Sequence, residues 1–170
     1  MSEITVTLPD GSLRTLENGA TLAELASDIG PGLAKAAVIG EVNGIEVDLD
    51  TTLTDGSIVS IITDTSDQGL ETLRHSTAHV LAQAVLDIYP GATFAIGPPI
   101  ENGFYYDFSI PNNEAIKEEN LALIEERMSE IITADQAFKR GETSVEEALL
   151  MFSDHPYKCE IIEAADASAV

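Results

Sequence analysis

His75 and His79 lie four residues apart in the run Arg74-His75-Ser76-Thr77-Ala78-His79 and are two of the chain's three histidines. On a helix, residues i and i+4 sit one turn apart on the same side. Such a pair can bind a metal ion, move protons or grip a substrate. The plainer alternative is two ordinary, partly buried histidines on an amphipathic helix. The single cysteine, Cys159, excludes an internal disulfide and a cysteine-based zinc site within the chain. It reads as a reduced thiol near a strand.

The elements that would carry these histidines are legible in the apolar spacing. Leu70, Leu73, Thr77, Val80, Leu81, Ala84 and Ile88 recur at helical intervals, and Pro90-Gly91 stops the pattern, which predicts a helix over residues 70–89. His75 and His79 fall opposite that stripe, in line with Ala82 and Leu86, so the helix has a second face of small and apolar groups where a cavity would suit a ligand. Residues 92–108 then read as a β-hairpin turning at Asn102-Gly103, with Phe104, Tyr106 and Phe108 on one face as core aromatics. An acidic helix follows over residues 113–133, with Ile116, Leu121, Ile124, Met128, Ile131 and Ile132 inward and Glu118, Glu119, Glu125 and Glu126 on a solvated face. Ser144 and Glu147 form a capping box for a short helix. Beyond His155, which reads as a surface residue, the run Cys159-Glu160-Ile161-Ile162 is expected to start a strand.

Ahead of the histidine helix stands a separate small unit. Ile4, Val6 and Leu8 alternate with Thr5 and Thr7, Asp10-Gly11 supplies a turn, and the chain resumes toward Leu16 as a hairpin. Thr21 and Glu24 form a capping box before the apolar stripe of Leu22, Leu25 and Ile29, and Gly30-Pro31 ends that helix. A second hairpin folds around Asn43-Gly44, and a last strand spans residues 58–62. Ser66-Asp67-Gln68-Gly69 is polar and turn-prone and joins the two parts. The order is hairpin, helix, hairpin, strand, and the fold class is α+β.

Composition bounds what such a chain can do. At 170 residues and 44% hydrophobic there is material for one or two cores, and no run of about 18 apolar residues suggests a membrane span. The N-terminus has no basic, apolar leader, so a cytoplasmic address is expected. Eight basic against thirty acidic residues leave a formal charge of −22, a field that repels phosphate backbones and excludes a general nucleic-acid binder.

The N-terminal phrases Leu8-Pro9-Asp10-Gly11-Ser12 and Asp28-Ile29-Gly30-Pro31-Gly32-Leu33-Ala34-Lys35-Ala36 resemble a TGS domain, a ubiquitin-like β-grasp module. Three further motifs, in order, resemble the N-terminal editing region of bacterial threonyl-tRNA synthetases. They are Gly69-Leu70-Glu71 through His79, Ala95-Ile96-Gly97-Pro98-Pro99-Ile100-Glu101-Asn102-Gly103-Phe104-Tyr105-Tyr106-Asp107, and Pro156-Tyr157-Lys158. The resemblance covers essentially the whole chain. It implies a TGS domain at residues 1–63, a linker at 64–69 and an incomplete editing domain at 70–170, the whole being an N-terminal fragment.

The same resemblance implies that His75 and His79 line an editing pocket and that Lys158 is a catalytic or substrate-positioning group. The reaction it implies is hydrolysis of serine wrongly esterified to threonine tRNA. By the same resemblance the parent enzyme joins threonine to its tRNA with ATP, holds a zinc ion in an aminoacylation domain absent here, and dimerises through absent domains. This fragment itself is expected to hold no cofactor, to bind nucleic acid weakly and to be inactive or nearly so alone. No metal is expected, because two imidazoles are too few for the usual four-coordinate zinc site. The family's later motif with a cysteine and a histidine does not precede Val170, and Cys159 does not match it. Two alternatives remain open: a non-catalytic, TGS-containing regulatory or binding module, and a freestanding editing protein. The first leaves the paired histidines and the Gly-Pro-Pro phrase unexplained, and the second lacks the later motif.

Overall fold

A computed structural model describes residues 2–95, 97–113, 115–136 and 141–168. Ile96 of the Gly-Pro-Pro phrase and the last two residues of the C-terminal tail lie outside the described residues. Contacts divide the chain into one unit ending at Arg74 and a second beginning at His75.

The first unit is built as the alternation and turn residues require. Strands β1 (Glu3–Thr7) and β2 (Leu13–Glu17) pair antiparallel, with Ile4 facing Leu16 across the ladder. Helix α1 (Leu22–Ile29) starts on the reciprocal Thr21–Glu24 capping box, and Pro31 opens a second short helix, α2 (Pro31–Ala36). Proline suits that first helical position because its missing N–H would have no partner there. Strand β3 (Ala37–Val42) is flanked antiparallel by β4 (Ile45–Val47) and β5 (Val59–Thr63). Asn43 and Gly44 both take positive φ, 53° and 81°, as the tight turn between β3 and β4 demands. A parallel bridge from Thr7 to Ile58, with the Thr7 N–H donating to the Ser57 carbonyl at 2.9 Å, joins the β1–β2 hairpin to the other strands. The resulting β-grasp closes over Ile4, Val6, Leu22, Leu25, Leu53 and Val59, all buried.

Helix α3 (Asp67–Ile88) carries both candidate histidines and begins within the polar segment after Thr63, earlier than the apolar stripe predicts. Ser66 causes this: its hydroxyl accepts from the Gly69 N–H at 3.0 Å and donates to the Thr63 carbonyl at 2.8 Å, satisfying an amide that the helix start leaves free. The stripe also differs from expectation. Ala84 is buried as expected, but Leu73 and Thr77 are exposed, whereas Ala78, Ala82 and Val85, outside the expected stripe, are buried. The small residues of the predicted second face are thus packed, which large side chains at those positions would prevent.

In the second unit the chain after α3 forms a long, interrupted hairpin. β6 (Thr93–Phe94) pairs with β9 (Phe108–Ser109), and β7 (Pro99–Ile100) pairs with β8 (Gly103–Phe104). Its turn sits at Glu101-Asn102, one residue before the Asn-Gly pair that the sequence suggests. Helix α4 (Glu118–Thr133) packs Ile124 and Ile131 against Ala84 and Val85, with Ile116 and Met128 at the margin. Leu121 and Ile132, expected inward, are 54% and 63% exposed, because the buried stripe of α4 is narrow and follows the seven-residue interval from Ile124 to Ile131. Arg127 ties α4 to α3 through Asp87 at 2.8 Å. Helix α5 (Val145–Met151) starts on the predicted Ser144–Glu147 box.

The expected strand after Cys159 is replaced by helix α6 (Pro156–Ser168). Pro156 fits its first position, and the His155 carbonyl accepts from the Lys158 and Cys159 amides at 3.0 and 3.1 Å. Short Ile-Ile runs fit strand and helix alike, and Glu160, Glu163, Ala164 and Ala165 favour the helix. Among the described residues no helix is long and apolar enough to cross a membrane.

Candidate functional site

Three separately positioned elements of the second unit converge on one cavity of about 450 Å³. α3 presents His75 and His79 to it, the first limb of the hairpin contributes Phe94 and Gly97, and α6 brings in Lys158. All three residues singled out from the sequence therefore share a site, although Lys158 lies 79 positions from His79 in the chain (158 − 79). Tyr106 and Phe152 complete the apolar part of the wall. The size suits a small ligand or the end of a larger one.

The two imidazole rings stack, centroids 4.8 Å apart and 28° between planes. One helical turn alone brings them into register, so the pair needs no other element to form. His79, although an exposed residue, is held below its ordinary pKa of 6.5, first by partial desolvation and then by the positive charge of His75 and Lys158. It is therefore a neutral imidazole at pH 7, with one nitrogen to donate and one to accept. The Lys158 ammonium is also pushed below its ordinary value by desolvation. Among the described residues, no carboxylate lines the cavity of this strongly acidic chain. The site consequently favours groups that are neutral or carry developing negative charge.

Tyr106 is a site residue that sequence reasoning placed in the core. Its face alternation with Phe104 and Phe108 is as predicted, and it stacks on Phe108 at 4.9 Å while meeting Phe94 edge-on at 5.6 Å. The ring nevertheless borders the cavity, and desolvation raises its phenol pKa. It fits only because residue 97 is glycine: a Cβ there would lie 2.2 Å from the Tyr106 ring. The Gly97-Pro98-Pro99 phrase was the available signal. His155, read as a surface residue, is partly buried instead. Its ring packs against Phe94 at 5.6 Å and Phe152 at 6.5 Å, and Nδ1 is enclosed without a hydrogen-bond partner. Cys159 donates its thiol to the Phe152 carbonyl at 3.2 Å from α6, so it neighbours a helix end and not a strand.

Among the described residues, no group of three or more histidine, cysteine or carboxylate side chains is placed to hold a metal ion. The pair His75 and His79 with Lys158 is instead a set of hydrogen-bond donors and imidazole acceptors around an apolar floor. That arrangement can orient a polarised carbonyl and a water molecule, and stabilise charge that develops on oxygen.

The fold and site together define a two-part chain, a β-grasp unit followed by a pocket-bearing α+β unit. Residues 4–63, within the first unit, match the TGS domain family and form a TGS domain. Over its whole length the chain is homologous to threonine–tRNA ligases. It is 48% identical to that of Citrifermentans bemidjiense, with all of the chain aligned to 27% of the relative. The ligase of Natronomonas pharaonis is also 48% identical over the full chain, which covers 26% of it. That of Rubrobacter xylanophilus is 46% identical over 94% of the chain and 25% of the relative. The chain thus spans about a quarter of the length of the curated relatives it matches.

Proposed function

We propose that this chain is the editing-pocket portion of a threonine–tRNA ligase, which hydrolyses serine esterified in error to threonine tRNA. The observation that carries the reading is the convergence of His75, His79 and Lys158 on one cavity without a lining carboxylate. A TGS domain alone suits a docking module equally well, since such folds are reused. The cavity is what a docking module does not need.

The chemical demand is set by the substrate. A site that binds threonine rejects serine by the contribution of a single methyl group, about 1–3 kcal/mol or about 10–200-fold. A second, hydrolytic site raises the discrimination. In the reaction water adds to the ester carbonyl carbon, the tetrahedral oxyanion collapses, and the bond to the ribose oxygen breaks. Free serine and the ribose hydroxyl result, the latter taking up the proton that the water gave. His75 positions or activates the water, and His79, neutral at pH 7, orients the ester through its donor and acceptor nitrogens. Lys158 places positive charge beside the oxyanion or passes the proton to the leaving oxygen. Its lowered pKa suits both roles, because a desolvated ammonium is a stronger acid and a less screened charge.

Attachment of threonine to tRNA with ATP belongs to the same proposal, and neither the ATP nor a zinc ion is assigned to residues of this chain. The tRNA partner, dimerisation and a cytoplasmic location are likewise proposed for the whole ligase. By itself the chain deacylates weakly or not at all. In a threonine–tRNA ligase carrying this segment, Lys158→Ala and His75→Ala abolish release of serine from seryl-tRNA while threonine activation persists. Full deacylation by both variants sinks the assignment.

A further inference from the structure

We infer that Phe94 and Phe152 form a two-faced aromatic clamp that holds the Lys158 ammonium at the cavity in place of a carboxylate partner, which makes both phenylalanines positioning residues. The functional half of this inference rests on the hydrolytic reading above, while the clamp itself rests on geometry.

Lys158 Nζ lies 5.0 Å from the centre of the Phe94 ring and 4.6 Å from that of Phe152. Both distances are within the range of about 6 Å at which a ring face attracts a cation. The three residues come from different elements: Phe94 from β6, Phe152 from the C-terminal cap of α5, and Lys158 from the first turn of α6. Two further contacts brace the rings. Tyr106 meets Phe94 edge-on, and the Cys159 thiol is anchored on the Phe152 carbonyl. His155 packs against both phenylalanines, and its carbonyl holds the Lys158 amide.

Carboxylates are not scarce in this chain. The ion pairs among the described residues engage Arg14, Lys117 and Arg127, and Lys158 is in none of them. A carboxylate partner would occupy the ammonium's N–H donors, neutralise its field and raise its pKa. Ring faces attract the cation without accepting a conventional hydrogen bond, so its three donors stay available for oxygen atoms of a ligand. In a chain of charge −22, two apolar rings also keep carboxylates away from the one cation of the pocket. The groups that face it are His75, His79 and Tyr106 across the cavity and His155 behind the rings. None of these carries negative charge at pH 7.

Protons above an aromatic face are shielded by its ring current, which offers a direct test on the chain as it stands. The chain has four lysines, Lys35, Lys117, Lys139 and Lys158. A sample labelled with ¹³C at lysine Cε gives one resonance each, and Lys158→Arg identifies the relevant one. Its Hε protons are expected upfield of the other three. Phe152→Leu keeps apolar volume but removes the face, and should return most of that displacement, whereas Phe152→Tyr should restore it. A Lys158 signal coincident with the others in the unaltered chain overturns the clamp, as does a signal unmoved in Phe152→Leu. Phe94→Leu replaces that variant if it fails to fold. In a ligase carrying the segment, Phe152→Leu should lower kcat for seryl-tRNA hydrolysis about 10- to 100-fold with little change in KM, and Phe152→Tyr should recover it. Unchanged kcat with a lost ring-current shift overturns the positioning role. If the unaltered ligase itself releases no serine while the spectra behave as expected, the hydrolytic reading fails and the clamp stands.

Discussion

Replacing Gly69 by alanine sets two local effects against each other at the start of the helix that carries the histidines. Helix propensity alone favours the change by about 0.5–1 kcal/mol, because alanine loses less backbone entropy than glycine. The structure predicts the opposite outcome. A Cβ at Gly69 would lie 1.9 Å from the Thr63 carbonyl oxygen and 2.7 Å from its carbon, so the backbone has to separate by more than 1 Å. That carbonyl accepts from the Ser66 amide at 3.1 Å and the Ser66 hydroxyl at 2.8 Å, and the same hydroxyl caps the Gly69 amide at 3.0 Å. Loosening these three bonds forfeits a helix cap, about 1 kcal/mol, and about as much again from the other two bonds. Overlap that does not relax adds about 1 kcal/mol more. Net destabilisation of about 2–2.5 kcal/mol results, which for a unit of this size lowers the melting temperature by roughly 8–20 °C. Calorimetric melting of the two proteins side by side measures it. An alanine variant that melts at or above the parent temperature refutes the reasoning, since propensity would then have outweighed the close approach.

The remaining predictions concern the pocket and the charge. Gly97→Ala should push the Tyr106 ring out of its place, since the new Cβ would sit 2.2 Å from it, at a cost of about 1–3 kcal/mol; altered aromatic NMR shifts of Phe94 and Tyr106 report it, and unchanged shifts refute it. His79 should titrate below 6.5 by its imidazole C–H resonance, and Lys158→Met should move it partway back, because partial desolvation and the His75 charge remain. Since its folded pKa lies below its unfolded one, the unfolded chain binds the extra proton between the two values. Stability from this group is therefore complete above pH 6.5 and lost as pH falls through the folded pKa, which urea unfolding across that window checks. A net charge of −22 should make the melting temperature rise with sodium chloride, as the screening length shrinks from about 30 Å at 0.01 M to about 8 Å at 0.15 M. A flat salt dependence would show that self-repulsion is negligible.

Much of the first unit is legible in its residues because its signals are local. Asp10-Gly11, the Thr21–Glu24 box and Asn43-Gly44 act within a few residues of the backbone they shape, and each stands where the structure has it. In the second unit the same kind of signal succeeds at Ser144–Glu147 and fails at Cys159–Ile162, where an apolar pair is compatible with either regular structure. The exposed Leu121 and Ile132 show that a helical period identifies a helix before it identifies the buried side, which depends on what packs there.

The sequence by itself determined that His75 and His79 share one side of a helix, because one turn of backbone geometry suffices, and the structure adds that their rings stack. It also determined the β-grasp order of the first unit through turn and cap chemistry. Only the tertiary structure decided that Lys158 meets them, that Phe94, Tyr106 and Phe152 wall the cavity, and that His155 lies behind those rings. The contacts of Lys158 and His155 with the histidine helix and the hairpin join residues tens of positions apart. Their formation depends on the packing of whole elements, and no local backbone preference encodes it.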